Sequence, residues 1–157
     1  MVFDSSVDIF LRFTVATVTG GLIGLNRQYR HKPAGLRTHA LVALGAAAAT
    51  ALVAWSTDSS GIAHVDAMSR VVQGIITGIG FLGAGVILRT ESGRSVHGLT
   101  TAASIWLAAC LGCACGAGAW VITLCAFAFV MLILLVGGPV ERWVLSKLKA
   151  PREEEEM

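Results

Sequence analysis

The chain is 157 residues long, 55% hydrophobic and 14% charged, with a formal net charge of +2 and a mean hydropathy of +0.72. Soluble domains carry about 25% charged residues, whereas here the few charges cluster between long uncharged runs, as expected of a chain whose solvent is lipid. The small net charge and the lack of a basic stripe interleaved with aromatics argue against nucleic acid, leaving an all-α integral membrane protein with membrane lipid as its first partner.

A spanning helix needs about 20 mostly apolar residues, and five runs qualify: roughly 9–25, 38–55, 70–88, 100–117 and 119–136. The opening MVFDSSVD has no basic n-region and the first run no A-x-A-like cleavage site, so that run is expected to be retained as a helix. Only Gly-rich sequence around Gly116 and Gly118 separates the last two runs, which requires a tight turn. The bundle domain is thus 1–138.

Lys and Arg lie on alternate sides. The loop after the first run holds Arg27, Arg30, Lys32 and Arg37 and no acid, and the loop after the second holds Asp58 and Asp66 and no base. Arg89 and Arg94 outnumber Glu91 after the third, and Arg142, Lys147, Lys149 and Arg152 follow the fifth. The positive-inside rule then places the N-terminus outside and the C-terminus in the cytoplasm. Past Gly137-Gly138-Pro139, Val140, Trp143, Val144 and Leu148 recur at helical spacing among Arg142, Lys147 and Lys149. This predicts a separate amphipathic helix over 139–150, lying on the cytoplasmic membrane surface. The acidic tail 151–157 is expected to be disordered.

The third run is the most informative. On a helical wheel Arg70, Gly74, Gly78, Phe81, Gly85 and Arg89 share one face, and Gln73, Thr77, Gly80 and Ala84 form the neighbouring stripe. Glycine at four-residue spacing lets helices approach closely in lipid, and Gly20/Gly24 and Ala108/Gly112/Gly116 repeat the pattern. The ordinary reading is tight bundle packing, including a homodimer. The functional one is a third helix that bends or lines a substrate path. The string Gly78-Ile-Gly80-Phe-Leu-Gly83 matches G-x-G-x-x-G, but it sits inside an apolar run with Thr100 where the acid should be, so it is no dinucleotide fingerprint.

Arg12 and Arg70 stand near the outer boundary, four residues after Asp8 and Asp66. Charges in a bilayer need a partner or a wet cavity. A locally paired interfacial arginine is the ordinary reading; an Arg70 anchor sharing a polar cavity with Gln73 and Thr77 is the functional one. No Asp or Glu falls deep inside a run, which disfavours a carboxylate-lined Mg²⁺ pore and leaves one built from backbone carbonyls. No H-E-x-x-H, G-x-S-x-G or intramembrane carboxylate pair occurs, so no catalytic residue, metal ligand or cofactor is assigned. Cys110, Cys113, Cys115 and Cys125 read as small buried hydrophobes. His31, His39 and His97 fall in the cytoplasmic loops, where solvated histidines are the default.

The string IGLNRQYRHKPAGLRTHALVALGAA (23–47), followed by SRVVQGIITGIGFLGAGVILR (69–89) and VHGLTTAASIW (96–106), resembles the two signatures of the MgtC/SapB family of bacterial membrane proteins. The resemblance implies a small bundle of four or five hydrophobic helices in the bacterial inner membrane. It also implies an association with growth under Mg²⁺ scarcity and with survival inside host cells. Family members look like regulators of other membrane machinery, with the proton-driven ATP synthase as a proposed partner complex, although Mg²⁺ transport is often attributed to them. The matching motif positions are Arg27, Gly35, Leu36, Arg37, Thr38 and His39, then Arg70, Gln73, Gly74, Gly78, Gly80, Gly83, Gly85, Gly98, Thr100 and Thr101. The chain departs from many members in having Asn26 for Glu, and from the virulence-associated branch in having Thr100 for Asn. With no soluble C-terminal domain expected, it resembles the short SapB-like branch.

Two functions therefore compete, with an enzyme a distant third. One is a non-enzymatic regulatory or accessory role in ion homeostasis or membrane energetics under magnesium limitation. The other is a transporter or channel for Mg²⁺ or another small solute along the third helix. For transport, Arg27, Arg37, Arg94 and Arg70 suit an anion as readily as a cation.

Overall fold

The computed structural model describes residues 6–56, 62–89 and 96–149. Five helices dominate them: α1 (Ser6–Tyr29), α2 (Leu36–Ser56), α3 (Ile62–Gly85), α4 (Leu99–Gly116) and α5 (Trp120–Lys149). Each is long and apolar enough to cross a membrane, and large apolar side chains such as Phe81 (84% exposed) and Leu124 (72%) face outward. That surface suits hydrocarbon, where burying apolar groups brings no gain and packing falls to small residues. The chain is a multi-pass membrane protein.

Arg94 and the tail 151–157 lie outside the described residues. Within them, three boundaries differ from the sequence reading. First, α3 begins at Ile62, not Arg70, because hydropathy registers where lipid is tolerated, whereas helical hydrogen bonding continues through Asp66 and Arg70. Second, α3 ends at Gly85, short of residue 88, and Leu88–Arg89 (β1) pairs antiparallel with Val96–His97 (β2) ahead of α4. Gly98, at φ 92, follows; a Cβ there would strike the Val86 carbonyl.

Third, the separate amphipathic helix over 139–150 is absent: α5 runs unbroken through Gly137-Gly138-Pro139. A proline inside a helix removes an N–H and leaves the carbonyl four residues earlier without its usual donor. Here that carbonyl belongs to Leu135, and Arg30 Nη2 donates to it at 3.4 Å. Gly138 leaves room for the approach, since a Cβ there would lie 3.0 Å from Arg30 Nη1. Neighbouring helices that re-satisfy a freed carbonyl are how spanning helices tolerate proline.

Two helix ends close on the same hydrogen-bonding motif. The α4–α5 turn is a Schellman motif: Gly118 N–H donates to Cys115 O and Ala119 N–H to Ala114 O, both at 2.9 Å. Gly118 takes the left-handed conformation that the motif demands, φ 72. The α1 terminus repeats the pattern with His31 at φ 54; His31 N–H donates to Gln28 O and Lys32 N–H to Arg27 O. Pro33 then ends any continuation.

The centre is built from α1, α2 and α4. A Cβ added at Gly20 would lie 2.6 Å from His39 O, and one at Gly24 would lie 2.7 Å from Leu36 Cα. Gly112 meets the Ala43 carbonyl, and Gly116 meets Ala47 O and Thr50 Oγ1. Only glycine permits such backbone approach. Helix α5 adds Val130 and Leu134 against Ile23 and Leu111. Helix α3 is held along one edge, where Val72, Ile75 and Ile79 pack on Ala46, Ala109 and Cys113. Of its glycines, Gly83 meets Ala102 Cβ at 3.6 Å, whereas Gly74, Gly78, Gly80 and Gly85 have open space where a side chain would go. The glycine packing read from the sequence is thus made within one chain by α1 and α4, and hardly at all by α3.

Candidate functional site

The close crossing of α1 and α2 has a consequence for polar side chains. By admitting α2 at His39 and Leu36, Gly20 and Gly24 bring Arg27 and His39 to the same end of the bundle. Both then point at the first turns of α4. Arg27 is 4% exposed, and its Nη2 donates to Thr101 Oγ1 at 2.8 Å. His39 is fully buried; its Nδ1 lies 2.9 Å from Gly35 O and its Nε2 3.0 Å from Ser104 Oγ. Ser104 Oγ is also 2.8 Å from Thr101 O.

Proton counting constrains this chain of groups. A carbonyl only accepts, so His39 Nδ1 carries a proton donated to Gly35 O. If the ring is neutral, Nε2 accepts, and the one Ser104 proton must serve either Nε2 or Thr101 O. If the ring is doubly protonated, every bond in the chain has a donor. The network is therefore short by one proton in its neutral form.

Arg27 is the electrostatic anomaly. Among the described residues no carboxylate lies within ion-pairing distance of it, and its Nε is buried without a hydrogen-bond partner. Asn26 Oδ1, beside it in sequence, is likewise buried and unpartnered. A cation removed from water normally recovers its lost hydration from a counter-charge or several hydrogen bonds. The one hydroxyl of Thr101 is a small return.

The opposite end of the bundle is paired in the usual way. Arg12, 6% exposed, binds Asp8 Oδ2 through Nε at 2.8 Å and the Gly116 carbonyl through Nη1 at 2.7 Å. It caps the C-terminus of α4, where the helix dipole favours a cation. Gly118 provides the space, since its Cβ would fall 2.7 Å from Arg12 Nη2. The paired arginine expected from the Asp8 spacing is present, with a second partner in α4 that spacing could not reveal. Arg70 differs: it is exposed on α3 and makes no ion pair with Asp66.

Of the residues singled out from sequence, Arg27, His39 and Thr101 converge in one buried network. His39 is buried rather than solvated, because α1 and α4 close over the first turn of α2. Arg37, Thr38 and Thr100 are exposed at the same end; Arg70, Gln73 and Thr77 are exposed on α3 and do not meet the network. Ser104, Arg30 and Asn26 were not picked out. Ser104 could have been, since it lies three residues after Thr101 on the same helical face. Cys113 and Cys115 are buried, Cys110 is half-buried and Cys125 is exposed.

Comparison with known proteins finds relatives over most of the chain. The MgtC family model matches residues 13–143. Protein SrpB of Synechococcus elongatus is 45% identical over 129 residues, covering 78% of this chain and 71% of that protein. Protein MgtC of Brucella abortus is 50% identical over 103 residues, covering 66% of this chain and 40% of that protein. Protein MgtC of Salmonella typhimurium is 45% identical over 123 residues, covering 74% of this chain and 49% of that protein. The aligned region therefore spans less than half of those two MgtC proteins. No solved structure matches. With the family model covering the network, both turns and most of α5, this chain belongs to the MgtC family.

Proposed function

We propose that this protein is a non-enzymatic regulatory or accessory component of the bacterial inner membrane, acting in ion homeostasis or membrane energetics under magnesium limitation. The observation that carries the reading is the filled centre: Gly20, Gly24, Gly112 and Gly116 bring α1, α2 and α4 into backbone contact. A solid interior suits a protein that works through its surfaces on other membrane machinery. The link to magnesium rests on membership of the MgtC family. In this reading the N-terminus faces outward and the C-terminus the cytoplasm, as the Lys and Arg distribution predicts. The open glycine face of α3, over Gly74 and Gly78, is a docking edge for a second copy of the chain or for another membrane protein complex.

One observation favours transport as the alternative. Gln73 and Thr77 are exposed on α3, where polar groups facing lipid are costly, so a path lined by them would form between α3 helices of two chains. The test is reconstitution in liposomes containing an Mg²⁺ indicator, together with growth of a deletion strain at low Mg²⁺. The regulatory reading expects no Mg²⁺ entry above empty liposomes, and growth rescue by the wild type but not by Arg27→Gln at equal membrane level. Mg²⁺ flux abolished by Gln73→Leu overturns it.

A further inference from the structure

We infer that the end of the bundle around Arg27 is a binding site for the phosphate headgroup of an anionic phospholipid, with part of an acyl chain seated between α4 and α5. The inference stands whether the protein regulates or transports. A cleft of about 330 Å³ opens there, lined by Arg27, Arg30, Lys32, Thr100, Gly138 and Glu141 among others. Three cations and one carboxylate line it, and Glu141 forms no ion pair with any of the three. Among the described residues the cleft is therefore an uncompensated positive site, built by the end of α1, the turn after it and the proline-containing stretch of α5.

Three features point to a bound anion and not merely to a basic rim. Arg27 is nine-tenths buried or more, has no carboxylate partner among the described residues, and keeps Nε unpartnered; a phosphate in the cleft supplies the missing counter-charge. Thr100, an exposed residue with a hydroxyl, lines the same space. Arg30 is held at the cleft by its bond to the Leu135 carbonyl, so it is positioned before any ligand arrives, which lowers the ordering cost of binding.

The lipid, as opposed to free phosphate, is identified by what adjoins the cleft. A second, apolar hollow of about 80 Å³ lies between α4 and α5, lined by Ala103, Leu107 and Val130. Thr100, Ile133 and Leu134 border both spaces. A headgroup in the first with hydrocarbon in the second is the geometry of a phospholipid at a membrane interface. Inorganic phosphate has no use for the second. Basic pockets between helices at the cytoplasmic side are a recognised chemistry for anionic headgroups.

The test uses the full chain purified in neutral detergent. Native mass spectrometry counts retained lipid as phosphatidylglycerol or phosphatidylcholine of equal chain length is titrated in. The expected result is about ten-fold tighter retention of phosphatidylglycerol, falling to the phosphatidylcholine level in the double variant Arg30→Gln/Lys32→Gln. The charge-matched control Arg142→Gln/Lys147→Gln, exposed on α5, should retain it fully. Ala103→Trp, which fills the hollow but spares the charges, should weaken long-chain phosphatidylglycerol several-fold and leave a dioctanoyl analogue unchanged. Equal retention of the two lipids, or equal loss in both double variants, overturns the site. Thermal stabilisation by inorganic phosphate equal to that by phosphatidylglycerol at matched phosphate concentration overturns the lipid assignment in favour of a free anion.

Discussion

Substituting alanine for glycine separates the crossings that hold the bundle from those that merely look alike in sequence. At Gly24 the new methyl would lie 2.7 Å from Leu36 Cα and 2.8 Å from the Gly35 carbonyl carbon, roughly 0.8 Å inside ordinary carbon–carbon contact at about 3.5 Å. Both obstacles are backbone, so α1 and α2 must move apart, an overpacking that costs about 1–3 kcal/mol. At Gly74 and Gly78 a methyl meets nothing within 4 Å, and alanine is the better helix former by about 0.8–1 kcal/mol. Reversible unfolding in mixed micelles of a mild detergent and sodium dodecyl sulfate reads these differences directly. We expect Gly24→Ala and Gly20→Ala to destabilise by at least 1 kcal/mol, and Gly74→Ala and Gly78→Ala to be neutral or stabilising. A Gly24→Ala variant within about 0.5 kcal/mol of wild type would refute the backbone contact between α1 and α2. Equal losses at Gly74 and Gly78 would instead show their face filled by a second chain.

Other expectations follow from particular bonds. Thr101→Val removes the hydroxyl that accepts from Arg27 and should destabilise by about 1–3 kcal/mol, whereas Thr100→Val, one residue earlier but exposed, should change stability by under about 0.5 kcal/mol; the same unfolding titration decides. Arg12→Ala loses both the Gly116 carbonyl and Asp8 and should cost about 1.5–3 kcal/mol, against under about 1 kcal/mol for Asp8→Asn, which removes only the partly exposed ion pair; equal losses would mean that the cap on α4 contributes nothing. A membrane-permeant maleimide should label Cys125, which is exposed, much faster than Cys113 or Cys115, which are buried. Cys125→Ser should abolish the fast phase, as peptide mapping of the labelled protein would show.

Much of the fold is legible in the sequence because it depends on local sums. About 20 mostly apolar residues in a row make a span whatever they touch, and each of the five predicted runs overlaps one of the five helices. The turn at Gly116–Gly118 is likewise local, since a Schellman motif needs a left-handed residue and glycine adopts that conformation without strain. Element ends were less legible. Charges at Asp66 and Arg70 suggested a boundary, yet a helix carries charged residues past the lipid, and Pro139 suggested a break that Arg30 and Gly138 absorb.

The sequence by itself determined the class of protein, the number and order of its spans and, through the MgtC/SapB signatures, its family; these are written in composition, periodicity and motif. Tertiary structure alone decided which glycines are crossings, that His39 leaves water, and that Arg27 is buried with a hydroxyl and, among the described residues, no carboxylate. The reason is separation along the chain: Arg27 meets Thr101 across 74 residues and His39 meets Ser104 across 65. Burial belongs to pairs of elements, and no window on one helix can show what another helix brings against it.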